Sequence, residues 1–124
     1  MQGKLKGTVN SKKGYIHISV DIVKFDEDGC RIIYCPALNV VGYGHSEEEA
    51  EHSFSITLHE FLDYAVEHDT LHQELESLGW KLTADKVKPP VMSDIISRNK
   101  ELRRIVDKLS YVKNTSQISL PAFA

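Results

Sequence analysis

Cysteine is scarce in this chain: of 124 residues only Cys30 and Cys35 carry a thiol. In one extended strand their Cα atoms stand about 16 Å apart, beyond the roughly 7 Å limit for a disulfide. A zinc or redox motif needs a shorter spacer and more ligands, so both read as small core residues. Long apolar runs are missing as well. None approaches the roughly 20 residues of a bilayer span, and Met1 to Gly14 is polar where a secretion signal is greasy. The expectation is a cytoplasmic protein with no membrane contact. No G-x-x-x-x-G-K or G-x-G-x-x-G stretch occurs, which excludes those phosphate-cradling loops. No Ser or Cys sits in an activating context, so the reading assigns no catalytic residue, no cofactor and no metal.

Positive charge is absent from the middle of the chain. The whole sequence sets 15 Lys plus Arg against 18 Asp plus Glu, a net charge of −3. From Ile32 to Trp80, however, there is no Lys or Arg, while Glu47, Glu48, Glu49, Glu51, Glu60, Asp63, Glu67, Asp69, Glu74 and Glu76 make ten acids. The flanks are basic: residues 1–31 hold six bases (Lys4, Lys6, Lys12, Lys13, Lys24, Arg31), and from Lys81 to Ala124 nine bases face four acids, Asp85, Asp94, Glu101 and Asp107. An acidic surface repels phosphates and steers toward a basic partner. The competing reading is that the acidic middle and the basic tail attract each other, within one chain or across a dimer.

Tyr15 to Phe25 alternates with period two, Ile16, Ile18, Val20 and Ile22 against His17, Ser19 and Asp21, as in a half-buried strand. Asp28-Gly29 makes a tight turn into a second strand, Cys30 to Cys35, which Pro36 ends. A short strand through Val40 and Val41 reaches Gly42 and Gly44, read as a place of sharp turning. Ser46 and Glu49 form a capping box that opens a helix of about six turns, with Ala50, Phe54, Thr57, Leu58, Phe61, Leu62 and Ala65 toward the sheet. Asp69 or Thr70 caps a second helix bearing Leu71, Leu75 and Leu78, which Gly79 stops, and Trp80 and Leu82 belong to a closing strand. Lys86 to Pro90 is read as a stiff connection. A turn at Ser93 to Ser97, a helix near Asn99 to Leu109, and an extended piece from Gln117 to Leu120, able to add to a sheet edge, complete the chain.

Two surfaces are candidates for function. On the long helix, Glu48, His52, Ile56, His59 and Asp63 face away from the sheet with one apolar residue at the centre, the arrangement of a partner or dimer contact. On the last helix and just before it, Arg98, Lys100, Arg103, Arg104 and Lys108 could meet DNA phosphates, although Pro89 and Pro90 stand where a ribbon-helix-helix needs its ribbon. His68 and His72 are four apart, but the predicted break at Asp69 and Thr70 separates them. A small hydrolase using either histidine is the third reading.

The order Asp28-Gly29, Tyr34, Pro36, Leu38, Gly42, Gly44, Ser46, Glu49, Ala50 resembles the HicB family of antitoxins, whose pattern is an Asp-Gly turn, a strand running into proline and leucine, a glycine, then Ser or Thr and Glu-Ala opening a helix. The resemblance covers about residues 14–82. It implies an α+β fold, a small antiparallel sheet of three strands plus a closing strand packed on one long helix: a degraded dsRBD-like architecture that no longer binds RNA. The domain is placed over 1–83; the C-terminal extension over 84–124, helical and extended, departs from the family in matching neither usual DNA-binding motif and is read instead as dimerising or covering its own sheet. The resemblance also implies occlusion of a small basic HicA-like toxin that cleaves messenger RNA, and in many members regulation of their own promoter. The protein is therefore expected to be a homodimeric, non-enzymatic antitoxin-like module. A DNA-binding regulator, or a solitary HicB-like protein without a toxin, are the alternatives.

Overall fold

The computed structural model describes residues 8–10, 15–83 and 86–121. Lys4, Lys6, Lys12, Lys13 and Asp85, counted above, lie outside them, as does most of the polar opening stretch. The architecture is α+β, an antiparallel sheet on one long helix, as the sequence leads one to expect.

The alternating segment forms strand β2, Tyr15–Glu27, preceded by the short strand β1, Thr8–Asn10. Asp28 and Gly29 both take positive φ (54° and 78°), so the chain reverses in two residues and β3, Cys30–Cys35, pairs from Glu27 opposite Cys30. Next comes β4, Val40–Gly44, antiparallel to β3. Helix α1, Glu47–Glu67, starts at Ser46, whose Oγ accepts the Glu49 N–H at 3.1 Å; the Glu49 carboxylate reaches back to the His45 N–H at 2.8 Å. The box is thus closed one residue earlier than expected.

Gly42 and Gly44 are not at a turn. Both lie within β4, where α1 rests on the strand: a Cβ at Gly42 would collide with the backbone nitrogen of Phe54, and one at Gly44 would lie 2.5 Å from the Glu49 Cβ. Their missing side chains let helix and strand approach at backbone distance.

Helix α2, Leu71–Ser77, follows a left-handed residue, Asp69 (φ 57°); Thr70 holds the N-cap place but makes no side-chain capping bond. Gly79 (φ 98°) ends it, and the Trp80 N–H returns to the Leu75 carbonyl at 3.0 Å, the 6→1 bond of a Schellman stop. Trp80 is buried, with its indole N–H donated to the Ala37 carbonyl at 2.7 Å.

Trp80 and Leu82 do not close the sheet. Lys81–Thr83 (β5) pairs with Lys86–Lys88 (β6) in a separate two-stranded ribbon, so part of the expected stiff connection is strand as well. After α3, Met92–Ile95, and α4, Lys100–Lys108, the sheet is closed by β7, Tyr111–Pro121, which pairs residue for residue with β2 from Phe25 opposite Tyr111 to Tyr15 opposite Pro121. The terminal strand begins six residues earlier than the sequence suggested. Its first half, Tyr111 to Ser116, is itself exposed or half-buried although it borders the buried Val20, Ile22, Val23 and Phe25 of β2, and so shows no apolar alternation.

The sheet order is β7-β2-β3-β4, with β1 beside the start of β2. Ile16, Ile18, Val20 and Ile22 are buried on the α1 side together with Ile118 and Leu120. Val23 and Phe25 are buried on the opposite side, and the strict alternation ends where a second layer arrives. That layer is α4. Its cap Asn99 accepts the Leu102 N–H at 2.9 Å and donates to the Tyr34 hydroxyl at 2.9 Å, which in turn donates to Asn39 at 3.1 Å. Leu102 and Ile105, from the segment read as an extension, join the same core cluster as the sheet.

Candidate partner interface

The electrostatics of α1 begin with a turn of the helix. Glu47 points back over the sheet, where Lys24 Nζ lies 2.5 Å and Arg31 Nε 2.8 Å from its carboxylate; Lys24 is also 3.7 Å from Glu51. These two cations, Lys24 foremost, pull the Glu47 carboxyl down to about 2. At this corner the acidic start of α1 is tied to the sheet by ion pairs. Among the described residues, Lys and Arg ion pairs reach only Glu47 and Glu51 of the ten acids between Ile32 and Trp80.

The structure places Glu48, His52, Ile56, His59 and Asp63 together on the outward side of α1, all exposed, with Ile56 at 46%. His59 Nδ1 lies 2.9 Å from the Ser55 carbonyl, which anchors its ring along the helix. A shallow groove of about 440 Å³ runs beside the first half of this stripe, lined by Glu48, Glu49, His52, Ser53, Ile56 and Thr57. Ser53 closes its inner side by accepting the Tyr43 N–H at the outer edge of β4, at 3.2 Å. Sequence reasoning missed two flanking apolar side chains: Tyr64, 59% exposed and stacked on His68 with centroids 4.0 Å apart, and Val66, 50% exposed. Their signal was present, since neither fits the buried stripe. The surface is thus a band of carboxylates around isolated exposed apolar side chains.

The basic C-terminal arm does not neutralise this band among the described residues. Arg104 forks onto Glu27 at 2.7 and 3.0 Å and reaches Glu101 at 2.6 Å; the contact lowers the Glu27 carboxyl and raises Arg104 further. Arg98 donates to the carbonyls of Leu78 and Asp94, and Arg103 to those of Ile96 and Ser97. Lys113 faces Asp21 at 3.5 Å. Of the five bases that the DNA-binding alternative invokes, three guanidiniums are therefore held by the protein itself. Lys100 and Lys108 are exposed, and the exposed acids Glu101 and Asp107 share their helix.

His68 is the C-cap of α1 and His72 lies in α2, so the helix break does stand between them. His72 is 3.3 Å from Glu76. No group of three His, Cys, Asp or Glu side chains is placed to hold a metal ion among the described residues. Cys35 is buried and its thiol is pushed up to about 12 by that burial, so it is not a thiolate at neutral pH; Cys30 is half-buried, and both are free. Among the described residues no helix is long and apolar enough to cross a membrane.

No protein-family model matches this chain, nor does any curated protein or solved structure.

Proposed function

We propose that the protein is a non-enzymatic interaction module of the HicB-like antitoxin type, acting in the cytoplasm, that covers a small basic mRNA-cleaving toxin with the outer face of α1. The observation that carries this reading is the open carboxylate band. Glu48 and Asp63 flank the exposed Ile56 with no cation of the described residues in ion-pair range, while Arg98, Arg103 and Arg104 are engaged elsewhere. A basic protein approaching this band is accelerated and oriented by the field, and Ile56 supplies the apolar point on which it settles. The order of turn, strand and cap residues between Asp28 and Ala50 supports the same reading through its resemblance to that family.

The test is co-expression with the product of the adjoining short reading frame, with the tag on that product alone. Stoichiometric co-purification that is lost on Ile56→Asp supports the proposal; a product that emerges alone overturns it. The DNA-regulator reading has a separate test. Retention on promoter DNA that is abolished by charge reversal at Arg103 and Arg104 would favour it over ours.

A further inference from the structure

The two long edges of the sheet are finished differently. At β4 the helix lies against the strand through Gly42 and Gly44, and the Ser53 hydroxyl takes the outward Tyr43 N–H. At β7 no described element lies on the outer side. Eleven residues, Tyr111–Pro121, run there without a bulge, in unbroken register on β2, and proline occurs only at the last position. About half the backbone N–H and C=O groups of such a strand point away from its one neighbour and are available to another. The usual protections of a free edge are nearly absent: Lys113 is the one charged residue in the strand, and it is drawn sideways to Asp21.

We infer that β7 is the seam of a homodimer, in which two copies of this chain join edge to edge, antiparallel, about a twofold axis through Ser116. A second copy suits this edge better than an unrelated peptide because the pairing is isologous. One operation satisfies both open edges and leaves none for further growth. Of the antiparallel registers, the one centred on Ser116 pairs all eleven residues. It sets Lys113 opposite the partner's Ser119, so the two lysines are held about 20 Å apart along the strands instead of facing each other. On the helix side it sets Val112, 55% exposed in the single chain, opposite the partner's Leu120. On the other side Thr115 meets the partner's Gln117, both exposed and polar. The outer face of α1 stays clear of this seam, and the inference does not rest on the function proposed for it.

Light-scattering mass at micromolar concentration tests the seam. The unmodified chain is expected at twice its 14.0 kDa mass. Thr115→Lys with Gln117→Lys sets like charges opposite each other twice and is expected to return the mass to one chain, whereas Thr115→Lys with Gln117→Glu sets opposite charges together and is expected to keep it doubled. Ser116→Cys places two thiols on the axis, at a cross-strand distance a disulfide can span, so mild oxidation is expected to link two chains beyond the level seen with Cys30 and Cys35 alone. A single-chain mass for the unmodified protein overturns the inference. So does a doubled mass that survives the doubly basic change, or a Ser116→Cys chain that fails to crosslink.

Discussion

Gly42→Ala is the substitution that most sharply separates close packing from turn geometry. Gly42 lies in a strand at ordinary φ, so alanine fits its backbone and, by stiffening the unfolded chain, would by itself stabilise by about 0.4–1 kcal/mol. Against this, the new methyl lands on the backbone nitrogen and Cα of Phe54 in α1. A helix backbone cannot swing aside as a side-chain tip can, so the whole of α1 must lift from β4. Overpacking of this kind costs about 1–3 kcal/mol, and the rigidity of the obstacle puts it at the upper end, leaving a net loss of about 2 kcal/mol. For a chain of this size that is a fall of about 8 °C in Tm. Thermal unfolding followed by far-UV circular dichroism reads it directly. An unchanged or raised Tm would refute the claim that the glycines exist to seat the helix.

Two further outcomes follow from contacts already described. Glu47 has its carboxyl held near 2 against an ordinary value of 4.5, so its ion pairs contribute stability that is fully present above pH 4.5 and lost as pH falls toward 2. Its side chain is 42% exposed, which screens that contribution to about 1 kcal/mol or less. The difference in urea midpoint between the unmodified chain and Glu47→Gln should therefore shrink over that acid range, and a constant difference would contradict the pairing. Trp80→Phe removes the indole N–H from the Ala37 carbonyl, strands a buried acceptor and should cost about 1–3 kcal/mol in urea unfolding. No measurable cost would mean that the carbonyl is satisfied in another way.

How far the sequence spoke depended on how far local chemistry dictated local structure. The hairpin at Asp28-Gly29, the start of α1 at Ser46 and the stop at Gly79 were legible because each is fixed by a few neighbouring atoms. The helix near Asn99 to Leu109 was legible from its spacing, but the cap at Asn99 was not named. The closing strand was misplaced because Trp80 and Leu82 are apolar and Tyr111 to Ser116 is not; what makes the latter a strand is its partner β2, nearly a hundred residues earlier. The glycines of β4 were misread since composition cannot separate a turn from a close approach. At the candidate interface the residues of the α1 stripe were legible from helical spacing alone. That the C-terminal guanidiniums turn to Glu27 and to nearby carbonyls instead of α1 depended on tertiary geometry, and charge counts could not supply it.

The most direct measurement is calorimetric titration of the basic product of the adjoining reading frame into this protein at low and moderate salt. The unmodified chain and a Glu48→Lys, Asp63→Lys variant would be compared after their circular dichroism is shown to match. Tight binding that weakens with salt is expected for the unmodified chain, and an affinity at least tenfold lower with flatter salt dependence for the variant. Equal affinity for the two chains, or no heat with either, would contradict the proposed role of α1.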